Sequence, residues 1–159
     1  MADLKPGYPK DAVEEAFQLL PVKMDSPAAR TVLAAIGFQE SDGYKVRRQY
    51  GNGPAAGFWQ FERGGIKGVM LHKASARLAL EVCEKRHIDF NSEKIWEALQ
   101  IDDVLAAVFA RLLMFTDPYP LPDTADEAWD MYAKRLWRPG KPHPDKWPVS
   151  WKFGLERAL

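Results

Sequence analysis

The stretch Ser26-Pro-Ala-Ala-Arg-Thr-Val-Leu-Ala-Ala-Ile-Gly-Phe-Gln-Glu40-Ser41, read with Gly53-Pro-Ala-Ala-Gly57-Phe58-Trp59-Gln60 after it, decides how this chain is understood. Ser26 before Pro27 marks a helix start, because a serine oxygen accepts from the exposed first amides and proline suits the first helical position. Ala29, Val32, Leu33, Ile36 and Glu40 recur at helical spacing, so a helix is expected to run to about Glu40. The last member of this apolar stripe is a carboxylate. A carboxyl at that place, beside a glycine-rich aromatic turn, is partly withdrawn from water. Desolvation disfavours its charged form and raises its pKa, as a general acid near neutral pH requires. The plainer alternative is a glutamate that ends a helix in water.

Working outward, Asp11–Leu20 reads as a short first helix stopped by Pro21. Residues 42–68 hold seven glycines, interrupted by Tyr44, Tyr50, Phe58, Trp59 and Phe61, and are expected to form turns with at most a small irregular hairpin. A helix is expected from about Val69 to His87, another over Ser92–Leu99, and the most apolar one over Asp103–Phe115, which suits the centre of the fold. Thr124 with Glu127 forms a capping box that opens a helix to about Leu136. Residues 138–159 are rich in proline and tryptophan and are expected to form an irregular wrap held against the body by Trp147 and Trp151. The sum is a single, mainly α domain over residues 1–159, a helical bundle around a central apolar helix.

Bulk properties narrow the classes. The chain has 159 residues, is 47% hydrophobic and has no net charge, so a core can form and a strongly basic nucleic-acid binder is excluded. Cys83 is the one cysteine and has no partner for an internal disulfide. The opening residues carry no apolar signal region, so synthesis in the cytosol is expected. No apolar run reaches the ~18 residues of a membrane span. His72, His87 and His143 stand apart from other ligands, so neither a metal site nor a cofactor is expected. His72 either lines the cleft or is an ordinary helix histidine. Charge is segregated: residues 89–130 carry ten acids against two bases, and residues 133–159 carry seven bases against two acids. Such segments either attract each other within the domain or leave a basic tail free to approach an anionic polymer.

Glu40-Ser41 followed by Gly57-Phe58-Trp59-Gln60 resembles the lysozyme-like superfamily, specifically soluble lytic transglycosylases and goose-type lysozymes. In that group the catalytic glutamate ends a helix in a Glu-Ser pair, and a Gly-Leu-Met-Gln-like turn follows. The resemblance covers residues 32–60. Between the two motifs the usual serine and Asn-Pro pattern is replaced by a basic stretch with Lys45, Arg47 and Arg48. The nearest counterpart of the third motif, Ala-Tyr-Asn-Ala-Gly, is Ala128-Trp129-Asp130-Met131-Tyr132 followed by Trp137-Arg-Pro-Gly140, which places Tyr132 near the acid.

The resemblance implies an α+β lysozyme-like fold. It also implies a muramidase or lytic transglycosylase that cleaves the MurNAc-GlcNAc bond of peptidoglycan, with Glu40 as acid and then base and no cofactor. Ser41, Gly57, Phe58, Trp59, Gln60 and Tyr132 become the residues expected to border the glycan strand. Gln60 either bonds a sugar acetamido group or closes its own turn; Phe58 and Trp59 either offer a platform for sugar or cover core. Glu62 is the nearest other carboxylate to the turn, though a transglycosylase works with one. The setting implied is a phage lysin or a wall-piercing virion enzyme acting at the cell wall or periplasm, with virion proteins as further partners. Two other readings stand beside it: a virion structural or assembly protein that keeps the fold without turnover, and an interaction protein that uses the acidic face 89–130.

Overall fold

Residues 4–159 are described by a computed structural model; Met1–Asp3 of the expected domain lie outside the described residues. Most of the chain is helical, about 62%, in eight α-helices, and no β-strand is present among the described residues. The helices are α1 (Lys10–Leu19), α2 (Pro27–Glu40), α3 (Arg63–Leu71), α4 (Ala76–Lys85), α5 (Ser92–Leu99), α6 (Asp103–Phe115), α7 (Ala125–Trp129) and α8 (Trp147–Arg157). The expected hairpin shrinks to two isolated antiparallel bridges, Arg48 with Ala56 and Ala56 with Phe61.

Local capping chemistry sets several boundaries. Ser26 Oγ accepts from the Ala29 amide and opens α2, and Asn91 Oδ1 accepts from Glu93 and Lys94 and opens α5. Asp102 Oδ1 accepts from Leu105 at the start of α6, and Thr124 Oγ1 from Glu127 at the start of α7. α6 buries ten of its thirteen residues and touches α1, α2, α3, α4 and α5. Large side chains such as Phe109 and Leu105 are fully buried there, each contributing roughly 1.5–3 kcal/mol of hydrophobic stabilisation.

Two expectations require correction. The helix expected from Val69 to His87 is two helices, and the first starts at Arg63, inside the glycine-rich stretch. Gly64, Gly65 and Gly68 weaken that helix, but Ile66 and Val69 are fully buried, and their packing outweighs propensity. The break between α3 and α4 is fixed by Ser75, whose hydroxyl donates to the Val69 carbonyl at 2.7 Å.

The second correction concerns the end of the chain. Residues 138–143 are irregular and Pro144–Lys146 forms a short 3-10 turn, but Trp147–Arg157 is an α-helix rather than part of an irregular wrap. Pro148 sits in its first turn, where the missing N–H costs no helical bond. α8 packs against α2 more extensively than any other pair of helices. Their approach depends on Gly154, because a Cβ there would collide with the Thr31 carbonyl and lie 3.0 Å from the Ala35 Cβ.

Candidate active site

Glu40 is the last residue of α2 and borders a cleft of about 1170 Å³. Its partner is Tyr132, whose hydroxyl donates to Oε2 at 2.9 Å. Tyr132 lies in Asp130–Leu136, where α7 continues with π-helical geometry. Such wider turns recur at functional sites because they re-aim side chains out of the regular helical register. The Tyr132 ring is 2% exposed and stacks on Trp147 of α8, with centroids 5.3 Å apart and planes 8° from parallel. Trp147 in turn donates its indole N–H to the Ala125 carbonyl at 2.8 Å. The acid's hydrogen-bond donor is therefore held by an aromatic stack that only the docked C-terminal helix completes.

Burial pushes the Glu40 carboxyl up to about 7, with the nearby charge of Glu62 adding to the rise and the Tyr132 hydrogen bond opposing it. Burial and the adjacent carboxylate push the Tyr132 hydroxyl far up, so it stays a donor at every ordinary pH. Near neutral pH the carboxyl therefore stands close to the midpoint of its titration, while the phenol keeps its proton.

The Gly57–Gln60 turn supports the same cleft. Gly57 has φ +77°, and a Cβ there would stand 2.8 Å from the Leu99 carbonyl, so the turn needs glycine. Gln60, at φ +53°, lines the cleft together with Glu40 and Glu62. Its Nε2 donates to the Gly57 carbonyl at 2.9 Å, so the side chain closes its own turn while bordering the cleft.

The remaining residues expected at the substrate lie elsewhere. Phe58 and Trp59 are fully buried, so they offer no ring face to a sugar. Trp59 Nε1 donates to the Leu33 carbonyl of α2 at 2.9 Å, and its own carbonyl accepts from Trp137 Nε1, also at 2.9 Å. Ser41 is buried as well, its hydroxyl donating to the Gly37 carbonyl and accepting from the Tyr44 amide. Gly57 is enclosed too. These four hold the end of α2 against the turn; Glu40, Gln60, Glu62 and Tyr132 are the ones brought together.

Sequence reading missed the amide of Gln39. Its Nε2 donates to the His143 carbonyl at 3.0 Å, and its Oε1 accepts from Ser150 Oγ at 2.6 Å. Next to the acid, one side chain thus pins both the 138–146 segment and α8. Only its adjacency to Glu40 hinted at this, since its partners are more than a hundred residues away.

Beyond Gln60, Glu62, Trp137 and Arg138, which border both spaces, lies a second cavity of about 400 Å³ reaching His72. His72 is exposed, and its Nδ1 accepts from the Ala74 amide. The basic stretch between the motifs is tied to the body: Arg47 makes a bidentate pair with Asp103 at 2.8 Å, and Arg48 donates to the Gly53 carbonyl. Cys83 is buried, and its thiol is pushed up to about 11, which leaves it protonated. Among the described residues no three His, Cys, Asp or Glu side chains are grouped to hold a metal, and no helix is long and apolar enough to cross a membrane.

Comparison with family models, with curated proteins and with solved structures found no match for this chain.

Proposed function

We propose that the protein cleaves the glycan strand of peptidoglycan, with Glu40 as the group that first gives and then takes a proton. The observation that carries this reading is the Glu40 carboxyl itself: it borders a large cleft, is pushed up to about 7, and has one oxygen engaged by Tyr132. A carboxyl of that pKa is protonated in a useful fraction near neutrality yet gives up its proton readily, which is what expulsion of a sugar leaving group requires.

In this mechanism the protonated Glu40 donates to the glycosidic oxygen as the bond to C1 breaks. The carboxylate left behind is stabilised by the Tyr132 hydrogen bond. It then removes a proton from the group that attacks C1. That group is water in a muramidase and the muramic 6-hydroxyl in a lytic transglycosylase, which leaves an anhydro sugar. Gln60 and Glu62 flank the strand; Glu62 adds negative potential that keeps Glu40 protonated.

The same reading takes the helices as a lysozyme-like arrangement about α6 and the protein as a phage lysin or virion-borne enzyme acting at the cell wall. Digestion of purified peptidoglycan, with the released muropeptides identified by mass, tests it against the reading of a virion protein without turnover.

A further inference from the structure

Segment 138–146 crosses one side of the cleft between the π-helical turn and α8. Its Arg138, Lys141 and Lys146 all line the cleft, and all are exposed. Of the other bases over 133–159, Lys134 pairs with Asp130, Arg135 with Asp117 and Arg157 with Glu156, while Lys152 lies outside the cleft lining. Arg138, Lys141 and Lys146 make no ion pair among the described residues. Within the segment, Asp145 alone opposes them. Gln39 ties the backbone of this segment to the end of α2 through the His143 carbonyl. Asp42 and Glu62 also line the cleft and supply the opposite sign. The unpaired cations that line the cleft thus all come from one tethered segment.

We infer that Arg138, Lys141 and Lys146 form a subsite for carboxylates carried by the glycan, which selects strands bearing acidic peptide stems over uncharged amino-sugar polymers. The inference rests on the glycan-cleaving reading above and adds what the cleft selects. The cations are exposed, so the attraction is modest and sensitive to salt. Several acting together on a polyvalent strand still separate a charged ligand from a neutral one.

The test uses the Glu40→Gln protein, in which turnover is expected to be slow enough to read binding, and compares two ligands of equal sugar length: a muropeptide with free stem carboxylates and a neutral chitooligosaccharide. The expected result is tighter binding of the muropeptide at low salt, with the preference fading as ionic strength rises. In Lys141→Glu/Lys146→Glu on the same background, affinity for the muropeptide falls about tenfold and affinity for the neutral ligand changes far less. Both side chains are exposed, so the melting temperature reports whether the fold is kept. Full retention of muropeptide affinity in the double variant, with wild-type protein still cleaving peptidoglycan, overturns the carboxylate subsite alone. Failure to bind either ligand, together with no cleavage by wild type, overturns both the subsite and the enzymatic reading.

Discussion

The hydroxyl of Tyr132 donates to Oε2 of Glu40 at 2.9 Å, joining a π-helical segment to the end of α2 across 92 residues of sequence. The bond stabilises the charged carboxylate, so it works against the burial that raises the acid. The acid's strength is set by that opposition. Since Tyr132 is itself held by Trp147, the docking of α8 reaches the proton chemistry through one aromatic stack.

Tyr132→Phe keeps the ring and its stack but removes the donor. Glu40 is then expected to rise further above its ordinary range, and the alkaline limb of the activity profile moves to higher pH. A pH–rate profile of wild type and variant checks this. A limb that stays in place would mean that another group titrates.

Glu40→Gln is expected to change stability in a pH-dependent way. The folded carboxyl, at about 7, holds a proton that the unfolded chain, near 4.5, has already released. Folded protein therefore binds more protons between these values, and wild-type stability falls as pH rises through that window. Below it, wild type and variant are expected to unfold alike. Above pH 7 the glutamine protein is expected to be more stable by about 2 kcal/mol, the full linkage being reduced by solvent at the cleft. Denaturant titrations at pH 4 and pH 8 measure the difference; a gap that is the same at both would contradict a desolvated acid.

Gly154→Ala is expected to destabilise by about 1–3 kcal/mol, because the added methyl meets the Thr31 carbonyl and forces α8 away from α2. Gly140→Ala is the control, since nothing lies within 4 Å of its Cβ position, and it is expected to change stability by less than about 0.5 kcal/mol. Thermal unfolding of the pair reads this out. Equal melting temperatures would show that the helix crossing tolerates a wider separation.

What could be read from sequence was what local chemistry writes. Ser26 and Thr124 cap helices through atoms three residues away, so α2 and α7 start where their caps announce them, and the apolar patterns over Ser92–Leu99 and Asp103–Phe115 mark α5 and α6. α3 was hidden because Gly64, Gly65 and Gly68 signal turns, while the burial of Ile66 and Val69 that overrides them is a tertiary property. α8 was hidden by the prolines before it, although Pro148 stands where a helix accepts one. At the site, Glu40 and Gln60 flank one turn and could be placed together from the chain alone. The burial of Phe58 and Trp59 beneath that turn could not, since an aromatic beside a glycine looks alike whether it faces core or cleft. Gln39's hold on His143 and Ser150 depends on where α8 docks, which no local pattern encodes.

The most direct test of the central claim is digestion of purified peptidoglycan from several hosts by wild-type and Glu40→Gln protein, followed by mass analysis of the muropeptides. Wild type is expected to release products cut at the MurNAc-GlcNAc bond, and the glutamine variant to be slower by at least about 10²–10⁴-fold, the usual worth of an acid–base group. Wild-type activity is also expected to fall above about pH 7 as Glu40 loses its proton. Equal cleavage by the two proteins would contradict the role of Glu40, and no cleavage by either on any wall would contradict the enzymatic reading.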